Sequence, residues 1–73
     1  MSVHVDKSAI VDPRAELDDD VEIGPLCVVG PQARIGRGTR LLNNVTIMGR
    51  VTIGEYNRIF PMAVIGGDPQ DIS

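Results

Sequence analysis

The chain has 73 residues, one cysteine, one histidine and a formal net charge of −3 from ten acidic and seven basic side chains. That length permits one small domain, marginal alone and helped by self-association. Interspersed acids and bases with a pI near 4.8 exclude the basic stripe of a nucleic-acid binder; a lone cysteine excludes an internal disulfide; no apolar run is long enough to span a membrane.

The opening MSVHVDKSAI has neither the basic start nor the continuous apolar core of a signal peptide, so a cytoplasmic location is expected. From Val5 onward an aliphatic residue returns every six positions: Val5, Val11, Leu17, Ile23, Val29, Ile35, Leu41, Ile47, Ile53, Ile59 and Ile65. Four places after each stand mostly small residues, Ala9, Ala15, Val21, Cys27, Ala33, Thr39, Val45, Val51, Asn57, Ala63 and Pro69, suited to a second inward position near a corner. One place after the aliphatic, glycine occupies five of eleven positions (Gly24, Gly30, Gly36, Gly54, Gly66), and two places after it come Pro13, Pro25, Pro31 and Pro61. Glycine at that place is expected to supply unusual backbone angles and proline to fix φ, giving each hexad a turn. Period six with glycine and proline in phase cannot propagate a helix. Short strand, corner, short strand at constant pitch describes an all-β, parallel β-helix, a single domain over residues 1–73 with hexads covering 5–70.

Three hexads closing one triangular coil of 18 residues give eleven hexads three and two-thirds coils. The residue before each aliphatic then points outward. Sorted by coil, those residues form three columns: Ile10, Val28, Thr46, Val64; Glu16, Arg34, Thr52, Gln70; and His4, Glu22, Arg40, Arg58. The first is apolar, and Leu26, Leu42, Phe60 and Met62 border it at the corners. Exposed aliphatics in a column mark a protein interface, so Ile10, Leu26, Val28, Thr46, Met62 and Val64 are candidate contacts of a closed homotrimer. At the corners the column Asp19, Arg37, Glu55 alternates in sign and is expected to attract coil to coil.

Other candidates are weaker. His4 lies in a solvent-facing column without companions for a metal site. Cys27 falls in the small inward column. Asp18-Asp19-Asp20 lacks the spacing of a calcium loop, and Asn43-Asn44 suits a corner with left-handed angles. Gly66-Gly67-Asp68 is not followed by a helix that could bind phosphate. No metal and no cofactor are called for. At position 71 the repeat fails, with Asp71 where an aliphatic is due, so the sequence reads as the opening part, truncated at 71–73, of a longer protein. The polar pair Gln70-Asp71 leaves the regular scaffold there, where binding groups usually sit.

The hexads IGPLCVVGPQARIGRGTRL, the segment VTIMGRVTIGEYNRIFPMAVIGG and the following PQD resemble the start of the acyl-[acyl-carrier-protein]–UDP-N-acetylglucosamine O-acyltransferases of lipid A biosynthesis, over essentially the whole chain. The hexads alone fit many acyltransferases of this architecture; the G-G-x-P-Q-D run is more specific and disfavours the related N-acyltransferase. The resemblance implies a left-handed β-helix, an exception to the right-handed crossover rule. It also implies a homotrimer with clefts between subunits, a C-terminal helical domain, and transfer of a 3-hydroxyacyl chain from acyl carrier protein to a sugar hydroxyl of UDP-N-acetylglucosamine. Asp71 is then expected to hold the glucosamine sugar and Gln70 to line the same cleft. Ile72-Ser73 stand where the family commonly has leucine and a phosphate-contacting lysine. The family's general base is a histidine several coils further on. These 73 residues alone are therefore expected to be inactive. Two rivals remain: a trimerising β-helix module without catalysis, and a carbonic anhydrase of this architecture, which needs three metal-binding histidines.

Overall fold

The computed structural model describes residues 2–66. Eleven short strands form three parallel sheets. The first contains β1 (His4–Val5), β4 (Glu22–Ile23), β7 (Arg40–Leu41) and β10 (Arg58–Ile59). The second contains β2 (Ile10–Val11), β5 (Val28–Val29), β8 (Thr46–Met48) and β11 (Val64–Gly66). The third contains β3 (Glu16–Leu17), β6 (Ala33–Ile35) and β9 (Val51–Ile53). Each strand pairs with the one three elements on, so three strands make one coil and the coils stack as a β-helix. The register offset is 18 residues, as the column sorting requires: His4 opposes Glu22, Ile10 opposes Val28 and Glu16 opposes Arg34. No described residue is helical.

Coil-to-coil hydrogen bonds continue past the strand ends: the Asp6 N–H donates to Ile23 O at 2.8 Å, Gly24 to Leu41 O at 2.9 Å and Leu42 to Ile59 O at 3.0 Å. The aliphatic column points into the tube. Ile23, Val29, Ile35, Leu41, Ile47 and Ile53 are buried, with Val21, Cys27, Ala33 and Val45 filling the small column between them. Burial is incomplete at the two ends. Val5 is 43% exposed, and Val11, Leu17, Ile59 and Ile65 are only partly covered. Their coils have a described neighbour on one side only. Asn57 departs from the inward column and is exposed; its N–H donates to Thr39 Oγ1 at 3.2 Å. Thr39 is fully buried, and its hydroxyl donates in turn to Gly54 O at 2.7 Å, so this inward polar group has both roles filled.

The in-phase glycines act differently from the expectation. Of the five, only Gly66 has positive φ, 99°. A Cβ on Gly24 would stand 2.4 Å from Leu42 O, and one on Gly36 would stand 2.7 Å from Gly54 C and O. These glycines let one coil's backbone settle against the next. The left-handed turn residue comes two places later in the hexad: Asp20, Leu26, Gly38, Asn44, Tyr56 and Met62 have φ between 55° and 72°. Those six lie at two of the three corners, the ones that flank the first sheet. The corner between the second and third sheets, carrying Arg14, Gln32 and Arg50, has no left-handed residue at that place.

Candidate functional site

The second sheet presents Ile10, Val28, Thr46 and Val64 as register neighbours on β2, β5, β8 and β11. The three aliphatics are exposed and Thr46 is half-buried. Leu26 and Met62 stand at the corner that leads into this sheet and extend the apolar surface around it; Met62 is 74% exposed. The fold thus brings together all six residues assigned from the sequence to an interface. Phe60 borders them as expected. Met48, also exposed, escapes the column sorting because it takes the hexad place that glycine fills elsewhere.

Leu26 and Met62 adopt φ of 60° and 69°, a conformation that costs a non-glycine residue about 1–2 kcal/mol. Local bonds hold the corner. The Leu26 N–H donates to Ser8 Oγ at 3.0 Å, and the Ser8 hydroxyl and N–H donate to Asp6 Oδ2 at 2.6 and 3.0 Å. These two Ser8 donors hold the Asp6 carboxyl below the usual carboxylate range. One coil up, the Asn44 N–H donates to Pro25 O at 3.0 Å, and Met62 donates to Asn43 O at 3.3 Å. Asn44 at φ 59° bears out the reading of that corner.

The other two faces are charged. On the third sheet Arg34 Nη2 meets Glu16 Oε1 at 3.2 Å, and on the first sheet Arg40 Nη2 meets Glu22 Oε1 at 3.3 Å. At their shared corner Arg37 pairs with Asp20 at 3.8 Å rather than with Asp19, its expected partner. The left-handed turn at Asp20 shifts the contact by one residue. Arg14 pairs with Asp12 within one corner at 3.2 Å, and its bonds keep the Asp12 carboxyl below the usual range. A shallow groove of about 730 Å³ runs along the first sheet beside the apolar corner, lined by His4, Asp6, Glu22, Arg40, Leu26 and Asn44 among others.

His4 is exposed on the first sheet, and Cys27 is buried with its thiol 2.9 Å from Leu42 O. Among the described residues no three metal-ligating side chains cluster, and no helix is long and apolar enough to cross a membrane. Gln70 and Asp71, the two substrate-contact candidates, lie outside the described residues, as does Ser73.

A family profile described as bacterial transferase hexapeptide (six repeats) matches residues 32–67. No curated protein matches the sequence at a significant level. Two solved structures align over almost the whole chain. A UDP-N-acetylglucosamine acyltransferase from Campylobacter jejuni is 36% identical with a TM-score of 0.85, over 94% of this chain and 27% of its own. LpxA from Acinetobacter baumannii is 44% identical with a TM-score of 0.85, over 93% of this chain and 26% of its own. The chain therefore spans about a quarter of the length of either protein.

Proposed function

We propose, for a chain that carries the hexapeptide repeat of bacterial transferases and resembles the UDP-N-acetylglucosamine acyltransferases in sequence and coil geometry, that it serves as the N-terminal part of such an acyltransferase in the first step of lipid A biosynthesis. The observation that carries this reading is sequence identity of 36% and 44% at a TM-score of 0.85 over more than nine-tenths of the chain. The reaction moves a 3-hydroxyacyl group from the thioester of acyl carrier protein to a sugar hydroxyl of UDP-N-acetylglucosamine. It needs a base within hydrogen-bond reach of that hydroxyl and donors for the developing oxyanion. The acyl group arrives activated as a thioester, so no cofactor enters.

In this reading Asp71 orients the glucosamine ring and Gln70 lines the cleft beside it. The only histidine, His4, sits in the first coil. The base is assigned to a histidine outside these 73 residues, and the chain alone is inactive. The second face supplies the subunit contact of a cytoplasmic homotrimer, which supports the clefts between neighbours.

Calorimetric titration with UDP-N-acetylglucosamine tests the site. Saturable binding that is lost in Asp71→Ala supports it. No binding by an assembled oligomer favours instead a trimerising module, a reading supported by the exposed apolar face.

A further inference from the structure

The outward column of the first sheet changes character as it climbs. His4, Glu22, Arg40 and Arg58 are register neighbours on successive coils. Between the second and third coils the rung is attractive: Arg40 Nη2 lies 3.3 Å from both Glu22 Oε1 and Glu22 Oε2. Between the third and fourth coils the rung sets Arg58 directly over Arg40. Neighbouring strands stand about 4.8 Å apart, and like charges directly opposite one another are destabilising. Arg34, Arg37 and Arg40 each pair with an acid of the coil beneath. Arg58 has no ion-pair partner among the described residues. The fourth coil is thus joined to the third by its backbone ladder and core, but its outward rung on this face pushes the two apart.

We propose that Arg40 and Arg58 form a site for a phosphate group, and that its binding fastens the fourth coil to the third. Arg40 and Arg58 leave register-paired positions of neighbouring strands, about one strand spacing apart, and a phosphate matches the N–H fork of a guanidinium, so one anion can bridge the pair. Glu22 already balances one of the two positive charges, so the trio carries a net charge of +1 and accepts a single anion. The site stands on described residues of the first face and does not depend on the acyltransferase reading.

The ladder offers a direct readout. The Arg40 N–H donates to Asn57 O and the Leu42 N–H to Ile59 O, both carbonyls belonging to the fourth coil. Hydrogen exchange at these two amides therefore reports its attachment. At constant ionic strength, replacing chloride by inorganic phosphate at ten times its dissociation constant slows them about tenfold, while amides between the first and second coils stay unchanged. Arg58→Glu restores an alternating column, so it slows the same amides in chloride alone and abolishes the phosphate response. Arg58→Gln removes the repulsion and the response without adding a new pair. UDP serves as a second probe: slowing by both ligands is the expected result, since phosphate is the shared chemistry. A response to UDP alone overturns the site, as does a phosphate response that survives Arg58→Glu or that chloride reproduces.

Discussion

The first and second faces share one backbone plan and differ in what they show to water. Both contain four strands with the same 18-residue register, and both turn an aliphatic residue inward from each strand. Outward, the first face carries His4, Glu22, Arg40 and Arg58, and the second carries Ile10, Val28, Thr46 and Val64. The inward positions and the glycines set the tube; the outward positions select what each side of it meets. The two sets are separable, so substitutions in one are expected to leave the other's property intact.

The largest effect is expected where coils touch through glycine. A Cβ at Gly24, just after the first-face strand β4, would stand 2.4 Å from Leu42 O and 2.9 Å from Leu41 O; Leu41 O takes the Gly24 N–H and Leu42 O the Cys27 thiol, so neither yields without loosening a bond between coils. At Gly30, just after the second-face strand β5, the nearest atom is Ile47 O at 3.3 Å, which a small shift accommodates. Gly24→Ala therefore destabilises by about 2–4 kcal/mol and Gly30→Ala by about 1 kcal/mol or less, measured by thermal or urea unfolding. Equal losses at the two positions would break the distinction between the corners.

Next comes the outward apolar column. Val28 projects from β5 and is 40% exposed, so Val28→Glu leaves a soluble β-helix whose circular dichroism is unchanged. The assembly proposed for this face then disperses, and sedimentation velocity reads the fall in mass. The matching change on the first face, Glu22→Val, alters mass little. An oligomer that survives Val28→Glu removes the second face from the contact.

Much of this is legible in the sequence because a side chain's direction follows from a period. Once the 18-residue coil is adopted, Ile10, Val28 and Val64 fall on one face by arithmetic, and the register agrees. Other features have no such rule. A glycine reads the same whether it serves a positive φ or a close approach, so the unusual backbone angles expected at Gly24 and Gly36 give way to a close contact between coils, and the turn follows at Pro25-Leu26 and Arg37-Gly38. Arg37 meets Asp20 because the corner backbone turns left-handed there, a displacement that a column count cannot carry. Leu26, Tyr56 and Met62 hold positive φ against their own preference, with the coil beneath supplying the bonds. The substrate role proposed for Gln70 and Asp71 rests on resemblance to a family, since a break in a repeat identifies a place but no ligand.

The smallest expected effect separates two corners of the first coil. Asp6 is held below the usual carboxylate range by the Ser8 hydroxyl and N–H, and Asp12 by the Arg14 side chain and N–H. A carboxyl whose folded value is depressed contributes stability that is present above its unfolded value, about 3.9, and is lost as the pH falls through the lower folded value. Asp6 is exposed and Asp12 only half-buried, so solvent screens the contribution and the decline in Tm below about pH 4 is shallow. The two corners respond differently to acid. Protonating Asp12 loosens one turn and its own Arg14 pair. Protonating Asp6 withdraws an acceptor from Ser8, whose Oγ takes the Leu26 N–H and so supports the left-handed corner of the apolar face. Acid is therefore expected to lower the protection factor of the Leu26 amide, its exchange measured against the intrinsic rate at each pH, in the wild-type chain and in Asp12→Asn. In Asp6→Asn that amide exchanges faster already at neutral pH and responds less to acid. If Asp12→Asn flattens the Leu26 response as much as Asp6→Asn does, the Asp6–Ser8–Leu26 chain of bonds is not what holds the corner, and the apolar face owes its shape to packing alone.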